Sequence, residues 1–376
     1  MSILRELLDL GQSIWLDNIS RGVIRSGDLH AKVQEGLTGV TSNPTIFEKA
    51  ISGGEDYDPQ VRELISSAPE ISNARLIQEL MIRDIQMAAD ILRPVFDRAQ
   101  GHDGFVSIEV TPSKARDTLS TGEEVRYLWS RINRPNLMVK IPSTIEGLPA
   151  VEEMLYEGIN INITLIFSVE RYRKVAAAFL KGLERRVAEG KPIDRLASVA
   201  SVFVSRVDTL VDPMLAGRIA SGEKDLAGLL GTAAVANAKM VYQAFKEIFT
   251  SPRFASLATR GAAVQRPLWG STGTKNPAYG DLKYVETLVG PNTVNTVPPQ
   301  TYAAILHHGK AALTVERDLE AARLSLSRLK EAGISMKQVT AKLEEEGVSA
   351  FEKSFDGLLA LLDRKRVSVQ SSSAVR

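Results

Sequence analysis

The sequence has no cysteine. That excludes disulfides, thiolate metal sites and thiol nucleophiles together, and it fits a reducing compartment. Histidine is scarce. His30, His102, His307 and His308 are the only ones, and none stands in an H-E-x-x-H arrangement. All are read as structural or solvent-facing, and no metal site is expected. No apolar run approaches the length of a membrane span. The N-terminal stretch MSILRELLDLGQSIWLD lacks a basic start, an apolar core and a small-residue cleavage site, so no signal peptide is expected. A cytoplasmic protein is the default. An excess of one charge is missing too: 46 Lys and Arg stand against 45 Asp and Glu. With no basic block, neither nucleic acid nor an acidic membrane is expected as a main partner. A local basic pocket for a small phosphate remains compatible.

What is present is an ordinary globular composition, 44% hydrophobic and 24% charged over 376 residues, enough for a large core. Short β-like runs alternate with longer helical ones. The strand candidates are Ser13–Asn18, Leu37–Asn43, Phe105–Val110, Leu137–Pro142, Ile161–Phe167, Ser201–Val207, Arg266–Thr272 and Asn292–Val297. The clearest helical patterns are Asn73–Ala99, Ser168–Ala188, Leu226–Phe249 and Val315–Arg364. Ser168, Asp208 and Asp281 read as helix starts. Alternating units imply a parallel sheet with helical crossovers. About eight of them predict a closed (β/α)8 barrel. The competitor is an open doubly wound sheet, whose dinucleotide form carries G-x-G-x-x-G after its first strand. Here that position reads NISRGVIRSGDL. The chain beyond Thr314 exceeds a minimal barrel and is expected to pack outside it or over one mouth. One domain over residues 1–366, including C-terminal helices, is expected. The small polar residues 367–376 read as a flexible tail.

The strands share a pattern. Alternate side chains of a strand face opposite ways. In LMVKIP, Leu137, Val139 and Ile141 share one face, while Met138 and Lys140 share the other. Val106 and Ile108 likewise oppose Ser107 and Glu109. Ile163, Leu165 and Phe167 oppose Asn162 and Thr164. Ile14 and Leu16 oppose Trp15 and Asp17, and Val40 opposes Thr41 and Asn43. One face is aliphatic and suits outer helices. The other carries polar groups, mostly near the C-terminal ends, where barrel active sites are built. The lumen is therefore expected to gather Asp17, Asn43, Glu109, Lys140 and Thr164.

Lys140 is the residue that most needs explaining. A buried ammonium is costly unless it is paired or uncharged. The bland explanation is a structural ion pair with Glu109 or Asp17. The chemical one is nucleophilic catalysis. A neutral amine attacks a ketone to give a Schiff base, whose protonated form draws electrons and weakens the bond one carbon further along. Aldol cleavage then needs one carboxylate to take a hydroxyl proton and a second acid/base to shuttle protons through water. Asp17 and Glu109 are the right kinds of residue. Asn43, Asn162 and Thr164 can hold hydroxyls and the water.

These motifs resemble the transaldolase family. GVTSNPTIFEKAI (Gly39–Ile51) is similar to its first signature. LMVKIPSTIEGLPAVEEM (Leu137–Met154) is similar to its second, around the Schiff-base lysine. INITLIFS and SVFVSRVD match two further strands, and the joint order covers about Trp15 to Pro299. The resemblance implies that Lys140 holds a dihydroxyacetone unit and Asp17 removes the proton from the C4 hydroxyl. Glu109 acts through a water positioned by Thr164. Asn43 and Asn162 bind hydroxyls, Ser201 contacts the sugar chain and Phe203 shapes the site. Arg206 binds the substrate phosphate. The implied activity is transfer of that unit from sedoheptulose 7-phosphate or fructose 6-phosphate to glyceraldehyde 3-phosphate or erythrose 4-phosphate, in the non-oxidative pentose phosphate pathway. No cofactor is implied.

One segment departs from the better-known branch, which carries a Ser-Phe-Arg run after the seventh strand. Here the chain reads WGSTGTKNP (Trp269–Pro277), like a longer bacterial branch. Ser271 and the Gly273 backbone could cradle a phosphate and Lys275 could supply charge; a plain turn is the alternative. Trp269 is read as lining the site. LEEEG (Leu343–Gly347) reads as a solvated helix face. Two rival functions stay open. One is a fructose-6-phosphate aldolase, which releases dihydroxyacetone, although Glu109 favours transfer. The other is a non-catalytic barrel that binds sugar phosphates.

Overall fold

The computed structural model describes the backbone from Ser2 to Ala374 and side chains as far as Arg366. Eight parallel strands close into a barrel in chain order: β1 Gln12–Leu16, β2 Gly39–Thr41, β3 Phe105–Glu109, β4 Leu137–Pro142, β5 Ile161–Ile166, β6 Ser198–Phe203, β7 Arg266–Gly270 and β8 Thr293–Val297. The registers Glu109 to Lys140 and Lys140 to Asn162 bring the polar positions of β3, β4 and β5 level with one another.

The alternation read from sequence builds the barrel in layers. Val40, Val106, Ile108, Val139, Ile141 and Ile163 turn outward into the core shared with the helices. Each such fully buried side chain contributes about 1.5–3 kcal/mol. Inside, Trp15, Phe105, Met138, Val199, Leu268 and Val294 fill the floor. Gly39 is required there, because a Cβ on it would lie 2.5 Å from the Trp15 indole. The Trp15 Nε1 donates to Asp103 at 2.9 Å, and Ser13 and Arg266 join the same carboxylate beneath the barrel. A middle layer follows. The Ser201 hydroxyl donates to Asn162 Oδ1 at 2.6 Å, and Asn162 Nδ2 donates to Ser107 Oγ at 3.1 Å. The ionisable residues lie above it.

Several elements differ from expectation. β6 starts at Ser198 and ends at Phe203, so Arg206 and Asp208 lie in the first turn of the helix Ser205–Ala220. Asp208 does not start that helix. Its carboxylate accepts from Ala234 N at 2.7 Å, at the start of another helix. The pattern over 226–249 is broken at Gly231, which takes φ +70°, into a 3-10 turn Lys224–Leu229 and a helix Ala233–Phe249. The pattern over 315–364 is likewise split at Gly333, φ +69°, into Leu319–Glu331 and Met336–Ala374. Ser168 caps its helix as read, accepting from Arg171 N. Asp281 precedes only the short helix Lys283–Glu286. Trp269 turns outward, its Nε1 donating to Leu288 O at 3.0 Å, and does not line the site.

β5 breaks its own alternation. Its register with β6 shifts between Ile163 and Ile166, and Leu165 takes φ +60°. A bulge of this kind inserts one residue and re-aims the next side chains. Phe167, still in the outer apolar core, packs its ring 5.5 Å from that of Phe203.

The C-terminal helix Met336–Ala374 packs over the C-terminal mouth, against the helices Pro44–Ser52 and Ser205–Ala220, the turn Pro112–Lys114 and β5. The LEEEG run is consequently no simple solvent face: Glu344 pairs with Arg171 at 2.9 Å and Gly347 is buried. The side chains of residues 367–376 lie outside the described residues; the backbone over 367–374 continues the C-terminal helix where the sequence predicts a tail.

Candidate active site

Lys140 sits near the top of β4 with only 4% of its surface exposed. Its Nζ donates to Ser42 O at 3.0 Å and lies 3.2 Å from Glu109 Oε2. Lys140 and Glu109 form a buried ion pair. The neighbouring strands dictate the pairing, since Glu109 and Lys140 are register partners. Burial pushes the Glu109 carboxyl above its ordinary range; Lys140 pulls it back, and Asp17 adds to the rise. Asp17 follows β1 and is half-buried. Its carboxyl is raised, again chiefly by burial, against the opposing pull of Lys140, the Thr41 hydrogen bond and Lys275. Two carboxylates and one amine thus share the lumen.

Above them opens a cavity of about 630 Å³. Of the residues singled out from sequence, Asp17, Asn43, Lys140, Ser201, Phe203, Arg206, Ser271 and Lys275 line it, as does Gly273. Asn43 has two uses. Its Oδ1 caps the helix Pro44–Ser52 by accepting from Ile46 N at 2.9 Å, while the residue faces the cavity. Glu109, Asn162 and Thr164 do not line the cavity; they lie behind it. Asn162 is tied to Ser107 and Ser201. The Thr164 hydroxyl is buried with no partner among the described residues, an unusual state for an interior donor.

On the β6–β7 side, Arg206 is half-buried with its guanidinium 5.5 Å from the Phe203 ring centre. Burial lowers its pKa, and Glu346 opposes that shift. Ser271 is held in the left-handed region at φ +51°, its Oγ 3.1 Å from that of Ser205. Strain of this kind at a non-glycine residue is typical of functional loops. The loop is also anchored further on, where the Tyr279 hydroxyl donates to Asp212 at 2.6 Å. Lys275 projects from this loop, exposed and facing the cavity. Arg206 and Lys275 have no ion pair among the described residues.

Comparison with known proteins agrees with this geometry. Residues 14–362 match the family model described as transaldolase/fructose-6-phosphate aldolase. The chain belongs to that family. It is 49% identical to a transaldolase of Saccharopolyspora erythraea, covering 95% of this chain and 96% of the relative. A Thermobifida fusca transaldolase is 48% identical over the same shares. One from Trichodesmium erythraeum is 44% identical, covering 96% of this chain and 97% of the relative.

Within this transaldolase-family site, the structure adds residues that the sequence reading left without a role. The Thr41 hydroxyl donates to Asp17 Oδ1 at 2.7 Å and meets Thr296 Oγ1 at 2.6 Å. Thr41 was visible on the lumen face of its strand; Thr296 could have been found by applying the same alternation to β8. Lys49 lines the cavity from the helix Pro44–Ser52, opposite the β6–β7 side. Phe351 of the C-terminal helix lines it too, and no local pattern signals that. No helix among the described residues is long and apolar enough to cross a membrane. No cluster of metal-ligating side chains occurs among them.

Proposed function

We propose that this chain transfers a dihydroxyacetone unit from a ketose phosphate to an aldose phosphate by Schiff-base chemistry. The observation that carries the proposal is Lys140 buried in the lumen beside Glu109, with Asp17 facing the same cavity. Lys140 attacks the ketone of sedoheptulose 7-phosphate or fructose 6-phosphate. Asp17 takes the C4 hydroxyl proton as the C3–C4 bond breaks, leaving an enamine on Lys140 and releasing an aldose phosphate. Its raised pKa suits a group that must return the proton when the acceptor adds. Glyceraldehyde 3-phosphate or erythrose 4-phosphate is the acceptor. The lysine is its own electron sink, so the chemistry calls for no cofactor.

Glu109 is assigned to proton transfer during carbinolamine formation and collapse. The buried Thr164 hydroxyl, without a partner among the described residues, supports a bridging water at that point. Asn43 and Ser201 are assigned to hydroxyls of the sugar, Asn162 to holding Ser201, and Phe203 to the wall. Arg206, Ser271 and Lys275 are assigned to the phosphate. Arg206 supports this best, being a half-buried guanidinium with no carboxylate partner. We place the protein in the cytoplasm, on the absence of cysteine and of any membrane-spanning helix among the described residues.

The test is borohydride trapping with fructose 6-phosphate, read by peptide mass spectrometry, with and without erythrose 4-phosphate. A reduced three-carbon adduct on the peptide holding Lys140, discharged by the acceptor, is the expected result. Absence of an adduct while the ketose binds would leave a binding barrel. Release of free dihydroxyacetone at the rate of adduct turnover would identify the aldolase activity that the same family description includes.

A further inference from the structure

The transfer reading leaves a chemical problem. The enamine on Lys140 has two fates. It can attack the acceptor aldehyde, forming a C–C bond while the aldehyde oxygen takes a proton from Asp17. Or its carbon can take up a proton, after which water adds to the iminium carbon and the C–N bond breaks. That second route frees the amine and releases dihydroxyacetone, consuming one water and no oxidant. A transferase must favour the first fate over the second. Closed sites achieve this by keeping bulk water away from reactive intermediates.

The C-terminal helix supplies part of such a closure, over one side of the mouth. Phe351 and Phe355 stand four residues apart and so share a helix face, and Leu358 and Leu362 continue it; all are buried. Phe351 lines the substrate cavity. Phe355 instead lines a small void of about 10 Å³ on the outer side of β3, with Ile108, Val110, Met81 and Leu128. Of this face, Phe351 reaches the cavity that Lys140 lines, while Phe355 anchors the helix on the outer core. The helix is pinned in place. Ser354 and Thr45 hydroxyls meet at 2.8 Å, just beyond Asn43. Glu344 accepts two bonds from Arg171 at 2.9 Å, at the start of the helix after β5. Gly347 lies on the bulge itself: a Cβ there would be 2.9 Å from Leu165 Cδ2, one residue past Thr164. Lys365 pairs with Asp58, and Arg366 donates to Pro69 O at 2.9 Å.

We infer that Phe351 determines the partition between transfer and release, by keeping water off the side of the enamine on Lys140 that the C-terminal helix covers. The inference rests on the proposed transfer activity. Only confined water is needed in the cycle, because carbinolamine collapse liberates one water and product release consumes one. A fixed apolar roof is therefore compatible with turnover, and substrates enter on the open side, between the loops after β1, β2, β6, β7 and β8.

The experiment measures free dihydroxyacetone per transfer event, with fructose 6-phosphate and erythrose 4-phosphate, in the parent, Phe351→Ala, Phe355→Ala and Phe351→Leu. Parent transfer with little release checks the proposed function independently. Phe351→Ala should raise the release-to-transfer ratio about ten-fold or more, while the rate of adduct formation falls less; Phe355→Ala, which enlarges only the outer void, is the packing control and should leave the ratio near that of the parent. Phe351→Leu, still apolar and bulky, should keep the ratio within about three-fold of the parent. A purely structural role would lower transfer and release together and leave the ratio unmoved, and that result overturns the inference. If Phe351→Ala fails to fold, Phe351→Tyr replaces it: a hydroxyl in the apolar roof should raise the ratio, and an unchanged ratio in a folded protein again overturns the inference.

Discussion

Replacing Lys140 by methionine keeps the stem of the side chain and deletes its charge. The consequences fall mainly on Glu109. The two groups are 3.2 Å apart with side chains 5% and 2% exposed, so solvent screens them little. At an effective dielectric of about 20, Coulomb's law gives roughly 5 kcal/mol for that separation. Removing one partner of a buried pair typically costs about 3–5 kcal/mol. The carboxyl can limit the loss by taking up a proton, because burial already raises its pKa and Lys140 is the main group holding it down. A carboxyl whose folded pKa is raised favours the folded state below its unfolded pKa. That contribution is lost as pH climbs through the folded pKa. Lys140→Met should therefore be destabilised most at pH 8 and least near pH 5.5. We expect a loss of about 2–4 kcal/mol at pH 8 by urea denaturation.

Adding Glu109→Gln removes the unpaired charge. The double variant should recover most of the loss, because replacing both members of a buried pair by neutral groups is often neutral or stabilising. The double-mutant cycle should return a coupling of about 2–4 kcal/mol. If Lys140→Met is as stable as the parent at pH 8, or if Glu109→Gln restores nothing, the carboxylate does not depend on the lysine and the electrostatic account of the site is wrong.

Three further outcomes are expected. Asp17→Asn should still form the trapped adduct but cleave it about 10²–10⁴-fold more slowly; cleavage at the parent rate would deny Asp17 the role of base. Lys275→Ala should move the acidic limb of kcat/KM upward, because Asp17 acts ionised and loses a cation that pulls its pKa down. It should also raise KM for phosphorylated substrates more than for unphosphorylated ones, and a limb that stays in place would separate the two residues. Asp84→Asn should cost about 3–5 kcal/mol, since it strands Arg21, 2% exposed, which binds that carboxylate together with Tyr57; a loss below about 1 kcal/mol would mean another group neutralises the guanidinium.

Much of the barrel and its lumen was legible because both rest on a period of two. Glu109, Lys140 and Asp17 are conspicuous as ionisable residues on strands whose other face is aliphatic, and the closed sheet brings them together without further information. What the sequence hid lies where the period fails. β6 begins with Ser198 and Ala200, small residues with weak strand signals, so periodicity starts the run three residues late and puts Arg206 on a strand instead of a helix. The glycines at 231 and 333 break helical patterns by taking left-handed backbone, which their neighbours do not announce. Leu165 is the harder case, because a leucine gives no sign that it will adopt φ +60°.

That bulge also joins the legible part of the site to the illegible part. An unbroken β5 would have put Leu165 among the outer aliphatic residues, as its neighbours predict. With the extra residue it also meets Gly347, and the C-terminal helix can lie close enough to bring Phe351 to the cavity. The strand contacts that place Lys140 are local in register. The contacts that cover it come from some two hundred residues further along the chain. Periodicity can report only the former. The latter depends on shape, here a missing Cβ set against a strained leucine, and shape becomes visible only when both elements are in place. Reading the roof as merely structural would make Gly347→Ala a packing defect with a loss of stability alone. The arrangement at Leu165 and Thr164 predicts instead that shifting the helix also disturbs the chemistry at Lys140.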